Sequence, residues 1–267
     1  MKLSFIGGGT MAEAILHGIL ESGLGNPSDI IVGEIVEARR GYLSDTYGII
    51  TTSDSVEAVQ QADLAVLCVK PQDLGSVSSS LKGQFAKGQS IVSIVAGASL
   101  STLSEYMGHE EIIRVMPNTP AQIGYGMSVW TSSLAVSGSN IDLTKSILAT
   151  IGEEIYVNDE KYLDMATGLS ASGPAYVFLI IEALIDSGVY VGLPRDMARK
   201  LALQTVYGST KLVMETGSHP AQLKDMVVSP GGTTAEGVQV LEKRGVPAAL
   251  IEAVNSAYLK SIALGKK

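Results

Sequence analysis

The sequence predicts an α/β fold followed by an all-helical domain. Three observations carry the prediction. The first half alternates short apolar, β-branched runs with segments of helical period. A glycine-rich turn joins the first of those runs to the first helix. Beyond about residue 160 the strand-like runs stop and amphipathic or apolar helical segments follow to the end.

Residues 2–6 read as a short strand, and residues 11–21 carry the helical period. Residues 30–32 form a second strand, followed by a polar helix over 37–46. The run at 64–69 is continuously apolar, as a strand buried on both faces requires, and 90–95 and 112–116 repeat that signal. Residues 126–131 and 154–157 complete what the alternation predicts to be a parallel sheet flanked by helices. Helices are then expected over 162–168, 174–192, 195–216, 220–226, 234–244 and 248–264. Their boundaries carry helix punctuation in Ser172-Gly-Pro174, Gly192-Leu-Pro194 and Gly245-Val-Pro247. The domain boundary is placed between residues 159 and 160, giving domains 1–159 and 160–267.

A chain of 267 residues with 46% apolar and 17% charged residues can bury a sizeable core. Only 5% of residues are aromatic and the net charge is −8, which argues against nucleic acid as a partner. Cys68 is the single cysteine, so no internal disulfide forms. His17, His109 and His219 are scattered and read as surface or helix-end residues, and no metal is expected. The stretch 175–193 is almost long enough to span a bilayer, but Glu182 and Asp186 sit four apart on one face, costly in lipid. A helix apolar nearly all round equally suits a core or a subunit interface, and the second reading predicts self-association. Gly7, Gly8, Gly9, Thr10 and Glu13 interrupt the N-terminal apolar run, so it does not read as a signal peptide, and a cytoplasmic location is expected.

The turn Gly7-Gly-Gly9-Thr-Met-Ala12 fits a dinucleotide fingerprint, Gly7-x-Gly9-x-x-Ala12. Gly7 permits the tight turn, Gly9 lets a pyrophosphate approach the backbone, and Ala12 lets helix and strand pack closely. The helix N-terminus offers free N–H groups to the phosphates. Domain 1–159 is therefore read as a Rossmann-type dinucleotide-binding domain. At the end of the second strand Glu34 is placed to accept from a ribose 2′-hydroxyl, which favours NADH, unless Arg39 or Arg40 folds over a 2′-phosphate. The alternative reading is that Glu34 only caps or solvates the next helix.

Three further segments stand out. Val69-Lys70-Pro71 ends a buried strand, Met116-Pro-Asn118-Thr-Pro120 ends another, and Ser229-Pro-Gly-Gly-Thr-Thr234 introduces a helix with small residues and two hydroxyls. Each alone is explained by a turn or a cap. Beside a dinucleotide fold, all three together suit one site.

These stretches resemble the pyrroline-5-carboxylate reductase family. The matching residues are Phe5-Ile6-Gly-Gly-Gly-Thr10-Met11-Ala12, Val69-Lys-Pro71, Arg114-Val-Met-Pro-Asn-Thr-Pro120, Ser170-Ala-Ser-Gly-Pro-Ala-Tyr176 and Leu223-Lys-Asp-Met-Val-Val-Ser-Pro-Gly-Gly-Thr-Thr234. They occur in the family's order over nearly the whole chain. The resemblance implies a Rossmann-type domain, a helical dimerisation domain, and reduction of pyrroline-5-carboxylate to proline with NADPH or NADH. It also implies dimers that assemble into larger rings. Residue by residue, it implies that Ile6, Gly7, Gly8, Gly9, Thr10, Met11 and Ala12 wrap the pyrophosphate. Val69, Lys70 and Pro71, with Ile94, Val95 and Ala96, line the nicotinamide side, and Asn118 joins this cofactor set. Ser172, Gly173, Ser229, Gly231, Gly232, Thr233 and Thr234 hold the substrate, with the Thr234 hydroxyl nearest the imine nitrogen. Glu34 departs from many relatives, in which NADPH-preferring members carry neutral or basic residues.

The chemistry agrees with that assignment. A protonated imine accepts hydride readily, so placement within about 3–3.5 Å of the donor carbon is the main contribution required. Thr234 can donate or relay a proton to the ring nitrogen, and helix-start amides bind a carboxylate without arginine. Two other readings stay open. A β-hydroxyacid dehydrogenase would use a lysine general acid, but Lys200, Lys211 and Lys224 do not sit in that pattern. A non-enzymatic NAD(P) sensor would not need Ser229 and Thr234.

Overall fold

The computed structural model describes residues 2–60 and 62–265. It divides into two compact units, one running up to Ser172 and resuming at Ser256, the other spanning Gly173–Asn255.

The first unit is built on an eight-stranded sheet, with β1 (Leu3–Ile6), β2 (Ile30–Gly33), β3 (Ile50–Thr52), β4 (Leu64–Leu67), β5 (Ser90–Ser93), β6 (Ile112–Met116), β7 (Gly126–Ser132) and β8 (Gly152–Tyr156) in the order β3-β2-β1-β4-β5-β6-β7-β8. Between the strands run α1 (Thr10–Glu21), α2 (Glu37–Tyr47), α3 (Ser55–Gln60), α4 (Leu74–Leu81), α5 (Leu100–Met107) and α6 (Gly138–Ala149). Every residue of β1, β4, β5 and β6 is buried. The cause is legible in the period of two: Leu3, Phe5, Leu64 and Val66 enter one apolar cluster, while Ile6, Ala65 and Leu67 enter another. Each fully buried Leu, Ile or Phe contributes roughly 1.5–3 kcal/mol, so removing water from both faces holds these short strands in place.

The sheet is not wholly parallel, which corrects the expectation from the alternation alone. β6 pairs antiparallel with β7. The link between them holds only a 3₁₀ turn, Thr119–Ile123, too short for the crossover that a parallel neighbour needs. β8 then returns parallel to β7 after α6. β3 was not foreseen because Ile50, Thr51 and Thr52 are exposed or half-buried at the sheet edge and carry no buried run.

A buried cation fixes the far side of this unit. Arg114 on β6 is 2% exposed and pairs with Glu160 at 2.8 Å and Asp164 at 3.0 Å. Glu160 precedes α7 (Lys161–Ala166), and Asp164 lies within it. Glu160 also accepts from the Leu100 N–H at the start of α5, and Asp164 accepts from the Ser261 hydroxyl, both within 2.8 Å. Ser261 belongs to α12 (Val246–Gly265), the last helix. These bonds draw α7 and the end of α12 onto the sheet, so the compact unit extends to Ser172, past the boundary at 159/160 read from the sequence. After α7 the chain makes one π turn, Thr167–Ala171, closed by the Ser172 N–H on the Thr167 carbonyl.

The second unit holds α8 (Gly173–Tyr190), α9 (Arg195–Thr216), α10 (Pro220–Val227), α11 (Thr233–Lys243) and the first part of α12. Among its described residues only Ala198 and Ala202 are buried. Phe178, Leu179 and Tyr190 are 61%, 67% and 92% exposed, an apolar surface that a monomer has no means to cover. The segment Lys161–Tyr190 is long and apolar enough by composition to cross a membrane, with mean hydropathy 1.6.

Candidate active site

The strand order reverses between β1 and β4, and ligands of open α/β sheets bind beyond the carboxyl ends of the strands at such a reversal. The glycine turn lies there. Gly7 has φ +94°, a conformation that side chains resist, and an added Cβ would stand 2.9 Å from the Cys68 carbonyl oxygen. Gly9 differs: a Cβ there would meet nothing within 4 Å, so its Cα faces open space where a phosphate can approach. Gly9 caps α1 without any side-chain bond, and the first intrahelical bond runs from the Glu13 N–H to the Gly9 carbonyl at 2.9 Å. The amides of Thr10, Met11 and Ala12 precede that bond and remain free for an anion. Ala12 is buried against the core cluster, as close helix–strand packing demands. The turn therefore fits a dinucleotide pyrophosphate.

Two charges grip Gly8 from opposite ends of its peptide. The Glu34 carboxylate accepts from the Gly8 N–H and from the Val36 N–H, both at 2.8 Å. Arg39 Nε donates to the Gly8 carbonyl at 2.6 Å, and its Nη2 pairs with Glu13. Arg40 Nη1 donates to the carbonyls of Glu34 and Ile35 at 2.7 and 2.9 Å. Glu34 thus neither caps α2 by a first-turn bond nor floats in solvent: it is drawn to the glycine turn.

Sequence reasoning missed Glu13, Tyr42 and Tyr47 here. Glu13 Oε1 accepts from the Tyr42 and Tyr47 hydroxyls at 2.9 and 2.8 Å. Burial works to raise the Glu13 carboxyl, but the hydrogen bonds from Arg39, Tyr47 and Tyr42 outweigh it and hold it below the usual carboxylate range. Burial, then the bond to Glu13, pushes the Tyr47 phenol up to about 12. Only the long-range pairing of α1 with α2 brings these groups together, and neither helix alone signals it.

The remaining cofactor candidates follow the neighbouring strands. β4 ends at Leu67, so Val69 and Lys70 lie in the turn after it, and Pro71 opens a 3₁₀ turn. The Val69 side chain would lie 3.4 Å from a Cβ on Gly7, which sets the two turns in contact. Burial pushes the Cys68 thiol well above its ordinary range, so it stays neutral and is no nucleophile. Ile94, Val95 and Ala96 follow β5, with the Ile94 N–H on the Leu67 carbonyl at 3.2 Å. A cleft of about 400 Å³ is lined by Pro71, Val95, Ala96, Tyr106 and Leu264 among others. Asn118 follows β6, and its side chain is committed within the protein. Oδ1 accepts from the Met127 N–H at 2.8 Å, and Nδ2 donates to the carbonyl and hydroxyl of Ser170 at 3.3 Å.

The substrate candidates divide between the units. Ser172 ends one stretch of the first unit and Gly173 begins the second. Ser229, Gly231, Gly232, Thr233 and Thr234 cluster in the second unit. Gly231 has φ +67° and the Gly232 N–H bonds the Ser229 carbonyl at 3.0 Å, a tight turn for which Pro230-Gly231 is the suited pair. Gly232 is then the N-cap of α11 with no side-chain bond, and the first bond of that helix is from Ala235 to Gly232. The amides of Thr233 and Thr234 are left free at a helix N-terminus. Among the described residues the half-buried Thr234 hydroxyl has no hydrogen-bond partner, so it does not cap the helix.

Known proteins carry the same pattern. Residues 160–264 match the pyrroline-5-carboxylate reductase dimerisation family, and residues 2–97 match the NADP oxidoreductase, coenzyme F420-dependent family. The pyrroline-5-carboxylate reductase of Synechocystis sp. is 48% identical over 267 residues, covering 100% of this chain and 99% of that protein. The chain belongs to the pyrroline-5-carboxylate reductase family. The Escherichia coli member is 42% identical over 266 residues, covering 99% of this chain and 98% of the relative. The crystal structure of Plasmodium falciparum pyrroline carboxylate reductase with NADP bound matches with TM-score 0.91 at 34% identity, covering 99% of this chain and 98% of that one. The Rossmann-type domain and helical dimerisation domain expected from the sequence are those of the family.

Proposed function

We propose that the chain reduces 1-pyrroline-5-carboxylate to L-proline with NADPH or NADH, the last step of proline biosynthesis. The observation that carries this reading is 48% identity to a pyrroline-5-carboxylate reductase along the whole chain. It is supported by the open glycine turn at the strand-order reversal, which suits a dinucleotide. The bound cofactor supplies the hydride that reduces the imine carbon. The protein's own part is binding and placement. The turn from Ile6 to Ala12 wraps the pyrophosphate, with the free amides of Thr10, Met11 and Ala12 turned to it, and Glu34 faces the ribose. Val69 to Pro71, Ile94 to Ala96 and the backbone of Asn118 wall the nicotinamide side. The free amides of Thr233 and Thr234 bind the substrate carboxylate, helped by Ser229, Gly231 and Gly232, and Ser172 and Gly173 complete the substrate set. Thr234 donates to the ring nitrogen. The functional domains are 1–159 and 160–267, the second corresponding to the dimerisation match over 160–264. An assay of purified protein with pyrroline-5-carboxylate and each nucleotide tests the reading, and no turnover with either rejects it.

The working form is at least a dimer built from residues 160–267 and assembling into a larger ring, in the cytoplasm, with no nucleic-acid or membrane partner. The exposed apolar face of α8 and the dimerisation match support self-association. Sedimentation equilibrium is expected to show a dimer or larger at low micromolar concentration. An active monomer there contradicts it.

Glu34 makes NADH at least competitive with NADPH. Glu34→Ser is expected to move the ratio of kcat/KM values toward NADPH by about tenfold, because the carboxylate that repels a 2′-phosphate is gone. An unchanged ratio means that Glu34 does not face the ribose.

A further inference from the structure

The ribose edge of the glycine turn holds one anion and two arginines, and the chain's own bonds decide which of them a nucleotide meets. Glu34 spends its carboxylate on the Gly8 and Val36 amides, so it is fixed at the turn rather than free to swing away. Arg39 is the cation fixed to the same residue, through the Gly8 carbonyl. Its charge, however, is already matched. Nη2 pairs with Glu13, whose other oxygen is held by Tyr42 and Tyr47, and the guanidinium lies 4.9 Å from the centre of the Tyr42 ring. The Arg39 and Glu13 side chains are 27% and 21% exposed, so solvent screens the pair only in part. Arg40 is committed to backbone carbonyls and, among the described residues, pairs with no carboxylate, so it is a constant background at this edge.

We propose that Glu13 is a specificity-determining positioning residue. It neutralises Arg39 and holds it toward α1, which leaves Glu34 as the charge that a 2′-phosphate meets. The inference rests on the glycine turn binding a dinucleotide, as in the function proposed above, but not on which substrate is reduced. It makes the discrimination between nucleotides a property of three side chains on α1, β2–α2 and α2 rather than of Glu34 alone. A merely structural Glu13 would weaken both nucleotides equally. A positioning Glu13 changes their ratio.

Binding of 2′,5′-ADP and of 5′-AMP to the full-length protein, measured by titration calorimetry, separates these roles without any turnover. Glu13→Gln keeps acceptors for the tyrosine hydroxyls and releases the arginine's charge. It is expected to improve the affinity for 2′,5′-ADP relative to 5′-AMP by about fivefold, the worth of one partly exposed charge-assisted contact. The (kcat/KM) ratio of NADPH to NADH is expected to rise in parallel. Adding Arg39→Gln to that variant is expected to abolish the gain. Arg39→Gln alone is expected to leave the fragment ratio within about twofold, since a matched cation gives a phosphate little. That variant keeps the idea testable even if Glu13→Gln fails to fold. A tenfold loss of 2′,5′-ADP affinity in Arg39→Gln alone would show that Arg39 already serves the phosphate, and would overturn the proposal. An unmoved ratio in Glu13→Gln overturns it as well, with the dinucleotide reading intact. Failure of the unaltered protein to bind either fragment overturns both together.

Discussion

Replacing Glu160 and Asp164 together, as Glu160→Gln and Asp164→Asn, is expected to cost about 3–5 kcal/mol of stability, the usual penalty for stranding a buried charge. Arg114 is 2% exposed, and among the described residues its guanidinium reaches only these two carboxylates, through Nη1 and Nη2. Its Nε already has no partner among the described residues. Neutral amides of the same shape keep some hydrogen bonding but leave the cation in an apolar sheet. For a unit of this size the loss corresponds to a fall in Tm on the order of 10 °C. Adding Arg114→Met should then recover most of the loss, because the stranded charge is gone and the replacement packs among apolar neighbours. Thermal unfolding of the three proteins decides it. A triple variant no more stable than the double would place the loss in the anchoring of α7 and α12, not in the buried charge.

That network shows where reading the sequence stops. The glycine turn, the buried strands β1, β4, β5 and β6, and the run of helices after β8 are all written in local pattern. β4 is apolar at every position, and β1, β5 and β6 carry apolar residues on both faces around Ser4, Ser90, Ser93 and Arg114, which drives both faces into the core. The antiparallel β7 is also local in origin, since a link through Pro117, Asn118 and one 3₁₀ turn cannot carry a crossover. Alternation of strand and helix signals does not encode that direction. Arg114 sits in a strand sequence whose other residues are all apolar, so its burial was legible. Its partners were not, because Glu160, Asp164 and Ser261 lie 46, 50 and, through Asp164, a further 97 positions away. The Glu13–Arg39 pair has the same character, a contact across 26 positions that exists only once α1 and α2 flank one strand.

The other side chains support the reductase reading over its rivals. A lysine general acid, as in a β-hydroxyacid dehydrogenase, needs an amine held in the site, whereas Lys211 and Lys224 pair with Glu215 and Glu242 at 3.5 and 3.4 Å on the surface and Lys200 is exposed on α9. The Ser229–Thr234 turn, by contrast, spends its conformation on presenting groups. Positive φ at Gly231 and an uncapped Gly232 leave the amides of Thr233 and Thr234 and one hydroxyl without intrahelical work. A Ser, Thr, Asp or Asn side chain at the N-cap would occupy one of those amides, and Gly232 brings none.

Thr234→Ala is therefore expected to lower kcat by roughly tenfold to a thousandfold, the range for one general-acid or hydrogen-bond contribution made mainly in the transition state. Cofactor affinity should stay nearly unchanged, because no part of the glycine turn is touched. The structure sharpens the contrast with a capping role. Thr234 is the second residue of α11, Gly232 holds the N-cap without a side-chain bond, and the Thr234 hydroxyl bonds nothing among the described residues. Loss of a true cap would cost about 1 kcal/mol of stability with little effect on kcat. Here Tm is expected to hold while kcat falls, and Thr234→Ser, which keeps the hydroxyl and loses a methyl group, is expected to retain most of the rate. Tm and kcat measured on the same preparations of both variants separate the two roles. An alanine variant that is destabilised yet fully active removes Thr234 from the chemistry. Substrate placement by the free amides of α11 would then carry the acceleration alone.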